Sequence, residues 1–170
     1  MGKSRIKQRL SKIFVYLCRL ISGRMDNKEN RRLTISGKTL SKGKHLCDFH
    51  LGKEFFVLFE NEEVLDSELI ATIQIEIADE RKLKISVKIE GYVVLLCDRC
   101  LERLSMPVSF LGELDEEETE ECRNDHTGQL DFTQYVYDNI CLVIPIQRVH
   151  ASEKDCDPEM LRIWKGNNIK

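Results

Sequence analysis

The sequence predicts an α+β fold, mainly an antiparallel β-sheet with barrel-like closure as one outcome, a single amphipathic helix near 131–143 and a short C-terminal helix. Three observations carry that reading. Residues 69–78, LIATIQIEIA, and 82–91, KLKISVKIEG, alternate apolar and polar side chains about the short polar turn DERK. Two such runs form a β-hairpin with one dry and one wet face. The period then changes from two to three or four over DFTQYVYDNICLVIP, residues 131–145, which is the spacing of an amphipathic helix. Strands precede this helix rather than alternating with helices, so the sheet is antiparallel and not of the βαβ kind.

Each element can be justified in order. RRLTISG reads as a short strand and KTLSKGK as a loop closed by Gly43. In HLCDFHL, His45, Cys47, Phe49 and Leu51 fall on one face of a half-buried strand. KEFFVLF is a further apolar segment, and YVVLLC, apolar throughout, reads as a strand covered on both faces. LSMPVSFLGEL is one more strand, with Pro107 marking an edge or a bulge. DEEETEECRND is a block of like charge, read as a mobile acidic loop near 113–127. Asp131 and Gln134 have the spacing of a capping box. Phe132, Tyr135, Val136, Asn139, Ile140 and Val143 make the helix face, and Pro145 ends it. IQRVHASEKDCDPEML is loop-like, with a helix starting near Pro158.

The 170 residues carry 26 basic and 29 acidic side chains, a net charge of −3. That balance is local. Residues 1–25 hold seven Lys and Arg and no Asp or Glu, so the remainder has 19 basic against 29 acidic side chains, a net of −10. The basic stretch has three readings: an upstream extension with Met25 as the true initiator, a basic amphipathic surface helix, or a signal peptide spoiled by Arg19. Its apolar run is too short to cross a bilayer, and no membrane association is expected. The organisation expected is a basic tail over 1–25, one domain over 26–160 and a C-terminal tail over 161–170.

Seven cysteines, an odd number without staple-like spacing, suit a reducing cytoplasm, where they point to metal, catalysis or packing. The sharpest feature is Cys97-Asp98-Arg99-Cys100, set between strand-like runs. A thioredoxin-like site would put this pair at the start of a helix in a βαβ unit, which disfavours redox chemistry. A structural zinc site needs two more ligands. His150 and Cys156, six positions apart after the helix, can supply them, because closing the intervening loop costs only logarithmically in its length. Cys47, His50, Cys122 and Cys141 are competitors. The alternative to zinc is a packed thiol turn.

The sequence has no GxGxxG, Walker loop, GxSxG or HExxH, and His126 has no evident partner, so no enzyme is expected. Candidate contacts to RNA or another partner are Arg99 and Arg103 beside the cysteines and Lys82, Lys84 and Lys88 on the wet strand face. An acidic body disfavours unspecific phosphate binding.

Taken together, ISGKTLSKGKHLCDFHLGKEFF, IEGYVVLLCDRCLERLSMPV and DFTQYVYDNICLVIPIQRVHASEKDCDPEM resemble the YceD family of large-ribosomal-subunit rRNA accumulation proteins, in the form found in Bacteroides-type bacteria. The likeness runs from Leu33 to Met160. Cys97, Arg99, Cys100 and Leu101 stand at the family's central element, Asp131, Leu142 and Pro145 at its helix element, and His150 and Cys156 at its trailing pair. The resemblance implies a cytoplasmic, non-catalytic factor that supports 23S rRNA accumulation or processing and large-subunit assembly. Its partner would be that rRNA, its precursor or a large-subunit ribosomal protein. A small zinc-dependent or thiol-redox protein using the CxxC pair is the alternative.

Overall fold

The computed structural model describes residues 32–79 and 82–167; the basic stretch 1–25 lies outside them. Among the described residues, seven strands form two antiparallel sheets and four helices accompany them. Strands β2 (Gly43–Leu51), β3 (Asp66–Asp79), β4 (Lys82–Leu96) and β5 (Arg103–Glu113) make a four-stranded sheet in the order β2-β3-β4-β5. Strands β1 (Thr34–Ser36), β6 (Arg123–Asn124) and β7 (Gln129–Asp131) make a three-stranded sheet in the order β1-β7-β6. Neither closes into a barrel.

The alternation that predicted the hairpin becomes burial. Leu69, Ala71, Ile73 and Ile75 of β3, and Ile85, Val87 and Ile89 of β4, are almost wholly buried. The pattern continues further than expected, because YVVLLC is the second half of β4 and not a separate strand. Val93 and Leu95 are buried while Tyr92 and Leu96 stay 40% and 43% exposed, so this stretch is dry on one face and not on both. Gly91 lets the strand run through. It sits at φ +139°, and a Cβ there would run into the carbonyl oxygen of Glu68 and lie 2.9 Å from the Leu69 Cα.

The chain forms two compact units, each gathered from three stretches. The first takes the described parts of Met1–Phe49, Ala71–Lys88 and Leu111–Tyr135. It contains the small sheet, with Ile35 opposite Leu130. Also in this unit the acidic block, expected as loop, folds in part as a six-residue helix, Glu116–Glu121. Asp115 accepts from the Glu118 amide and the Glu118 carboxylate accepts from the Asp115 amide, each at 2.9 Å, a complete capping box. Three carboxylates in the first turn face the positive end of the helix dipole.

The second unit takes His50–Ile70, Ile89–Phe110 and Val136–Lys170. The apolar segment after β2 is helix α1 (Lys53–Val57), with Phe55 and Phe56 buried; Glu116–Glu121 is thus α2. Phe59 stacks on Tyr137 of helix α3 (Thr133–Val143) at 3.7 Å between ring centroids and 9° between planes. Helix α3 starts two residues later than its cap was expected to act. Asp131 accepts from both the amide and the hydroxyl of Thr133, and the Leu33 amide donates to that same hydroxyl. Helix α4 (Pro158–Asn167) begins at the predicted proline and continues through most of the expected C-terminal tail.

Candidate metal centre

The second unit brings together the four residues singled out from spacing. One ligand atom from each of Cys97, Cys100, His150 and Cys156 lies within 4.8 Å of all the others. Among the described residues no other set of three or more Cys, His, Asp or Glu side chains converges in this way. Cys97 follows directly on β4, the chain turns through Asp98, Arg99 and Cys100, and β5 begins at Arg103. The turn is closed by Leu101 N–H to Cys97 O at 2.8 Å and Cys97 N–H to Glu102 O at 2.8 Å. Leu101 makes the reversal with φ +60°, in the left-handed region.

The loop holding the other two ligands is fixed by local hydrogen bonds. Ser152 accepts from the Lys154 amide and caps a short 3₁₀ turn, Glu153–Asp155, and Cys156 N–H closes onto Glu153 O at 3.2 Å. Asp157 then caps α4 by accepting from Met160 N–H at 2.8 Å, with Pro158 in the first helical position. Cys156 is therefore held between a turn and a helix cap. Lys165 pairs with Glu153 at 2.6 Å, tying α4 back to this turn.

The separations fit a metal. His150 Nδ1 lies 3.6 Å from both Cys100 Sγ and Cys156 Sγ. With Zn–S near 2.3 Å and Zn–N near 2.05 Å, a tetrahedral site has S···N edges of ~3.6 Å and S···S edges of ~3.8 Å. Nδ1 is thus the nitrogen presented to the sulfurs. Cys97, Cys100 and Cys156 are buried, and Leu104, Met106, Val149, Met160 and Leu161 pack around them. Such an apolar shell limits water at a thiolate site.

The electrostatics prepare one sulfur for the charge that metal binding requires. Burial raises the Cys97 thiol, but the amides of Arg99, His150 and Cys100 and the Cys100 thiol donate to it and win, bringing it down to about 6. Burial, together with the neighbouring Cys100 and Cys97 sulfurs, pushes Cys156 up to about 11. A cation among them reverses that second effect, because thiolates that repel one another share its positive charge.

The competing ligands are not part of this cluster. Cys122 is buried in the first unit, Cys141 is exposed on α3, and Cys47 and His50 are on β2. Of the basic residues proposed for RNA or partner contact, Lys84 pairs with Glu113 at 3.2 Å. Lys88 is exposed on the same strand, and Lys82 opens it. Arg99 is half-buried in the cysteine turn, and Arg103 is exposed at the start of β5. The wet face of the sheet is also crossed by Lys44–Glu76 at 3.2 Å and by Tyr92 donating to Glu68 at 2.7 Å. Lys44 and Lys84 are thus each matched by a carboxylate.

Three residues at the site escaped sequence reasoning. Asp98 N–H donates to Arg148 O at 2.7 Å, Arg148 N–H donates to Asp98 Oδ2 at 2.6 Å, and Arg148 Nη1 donates to Glu63 Oε2 at 2.8 Å. Their sequence separations, 50 and 85 residues, leave no local signal. No protein-family model, curated protein or solved structure matches this chain.

Proposed function

We propose that this chain is a non-catalytic ribosome-assembly factor held together in its second unit by one structural zinc ion on Cys97, Cys100, His150 and Cys156. The observation that carries the zinc is the 3.6 Å spacing of His150 Nδ1 from two cysteine sulfurs, the edge of a zinc tetrahedron. Three thiolates and an imidazole favour zinc over magnesium or calcium, which take oxygen ligands. With all four positions filled by protein, zinc would have no open position for substrate and would act as a structural staple.

The ribosomal part of the reading rests on the resemblance of the cysteine turn, the helix element and the trailing His-Cys pair to the YceD family. The partner is 23S rRNA, its precursor or a large-subunit ribosomal protein. A cytoplasmic setting suits the chemistry, since the described cysteines form no disulfide. Among the described residues no helix is long and apolar enough to cross a membrane.

The lowered Cys97 thiol is the one observation that favours redox chemistry. A disulfide-exchange nucleophile must be reached by its partner, and here Cys97 is 0% and Cys100 2% exposed. Protein purified without added metal should contain close to one equivalent of zinc by elemental analysis, and tagged protein should co-migrate with large-subunit precursors on a sucrose gradient. Folded, metal-free protein would remove the zinc. Protein confined to the top of the gradient, with normal rRNA in a deletion strain, would remove the ribosomal role.

A further inference from the structure

The four ligands come from two places far apart in sequence, so something must hold the His150 segment against the cysteine turn. We propose that Asp98 is the positioning residue that does so, assembling the ligand set before any metal arrives. This inference rests on the zinc reading above. Asp98 and Arg148 exchange two hydrogen bonds, one through the Asp98 amide and one through its carboxylate. Two bonds between one pair of residues fix direction as well as distance. The carboxylate bond, at 2.6 Å, is short for N–H···O, as expected when the acceptor is charged.

The consequences reach the sulfurs through two residues of backbone. With Arg148 held, the His150 amide donates to the Cys97 sulfur, and His150 Nδ1 sits 3.6 Å from Cys100 and Cys156. The Arg148 side chain reaches Glu63, which gives the same segment a second anchor. Asp98 itself is no ligand. It lies between the two cysteines of the turn, and its carboxylate is taken up by the Arg148 amide. Groups that orient metal ligands typically contribute 10–100-fold to metal affinity.

The test measures zinc affinity on the full chain by competition with a chromophoric chelator. Asp98→Ala should bind zinc 10–100-fold more weakly than the wild type. Asp98→Asn, which keeps an oxygen acceptor in place, should stay within a few-fold. A merely structural role for Asp98 would act equally whether or not His150 is a ligand. The Asp98→Ala loss should therefore largely vanish in a His150→Ala background, the non-additivity expected of residues acting as one unit. If Asp98→Ala does not fold, hydrogen exchange on metal-free wild type decides the matter: the Arg148 amide should be protected, and free exchange there overturns the proposal. Wild-type affinity for Asp98→Ala, or equal losses in the two backgrounds, also overturns it while leaving the zinc reading intact. A wild type that binds no zinc overturns both.

Discussion

At the scale of single residues, what surrounds a sulfur decides what it can do, and Cys97 and Cys122 show the two extremes. Cys97 is as buried as any residue in the protein, yet three backbone amides aim at it and bring it down to about 6. Cys122 is buried with Asp131, Glu121 and Glu118 as its charged neighbours, and burial followed by those carboxylates pushes it up to about 11. A thiol raised in the folded state adds stability that is complete below its unfolded value near 9. That contribution is lost as pH climbs through 11. The urea midpoint should therefore fall between pH 9 and pH 11. Cys122→Val should remove on the order of 1–2 kcal/mol of that fall. The tyrosines at 92, 135 and 137, also raised, keep some alkaline loss in both proteins. Identical alkaline slopes for the two proteins would show that Cys122 is not a contributor. The four residues of the cluster were legible in the sequence because the CxxC pair and the trailing His150 and Cys156 stood out from an otherwise unstapled set of cysteines. Asp98, Arg148 and Glu63 were not, because their meaning lies in contacts across 50 and 85 residues.

Among elements, legibility tracked how strongly the side-chain period was expressed. The β3–β4 hairpin alternates over ten residues on each side, and a one-residue slip would turn Ile73, Ile75, Ile85 and Ile89 to water, which fixes its register. Helix α3 announced itself by the period of Phe132, Val136 and Ile140, all fully buried. Helix α1 did not, since five residues of KEFFV give barely one turn and the same letters suit a strand. Helix α2 was hidden by its charge, although Asp115 followed by Glu118 already had the spacing of a capping box. Strand β4 was cut in two by its glycine, and the structure shows why the glycine is there. Gly91→Ala should cost about 1–3 kcal/mol from the backbone angle alone. The contact with Glu68 and Leu69 adds to that cost, because backbone atoms and not a flexible side chain receive the new methyl. A urea midpoint unchanged by Gly91→Ala would mean that β4 does not pass this close to β3.

For the whole molecule the governing quantity is charge. Residues 26–170 carry a net of −10, while the seven uncompensated basic residues fall in 1–25. On the sheet, Lys84 and Lys44 are matched by Glu113 and Glu76. A protein making six to ten phosphate contacts loses roughly 10³–10⁵ in affinity between 50 and 200 mM salt, and in this body 29 carboxylates outnumber 19 cations, which works against such a footprint. On the proposed ribosomal role, that charge favours a basic ribosomal protein over bare rRNA backbone as the partner. A chain begun at Met25 makes the sharper sample, because it removes all seven of those basic residues with residues 1–24 and leaves the acidic body intact. That chain should still co-sediment with large-subunit precursors at 200 mM salt, and the complex should survive nuclease digestion of exposed RNA. Dissociation by nuclease, or a steep loss over that salt range, would instead assign the contact to phosphate and direct attention to Arg99, Arg103 and Lys88.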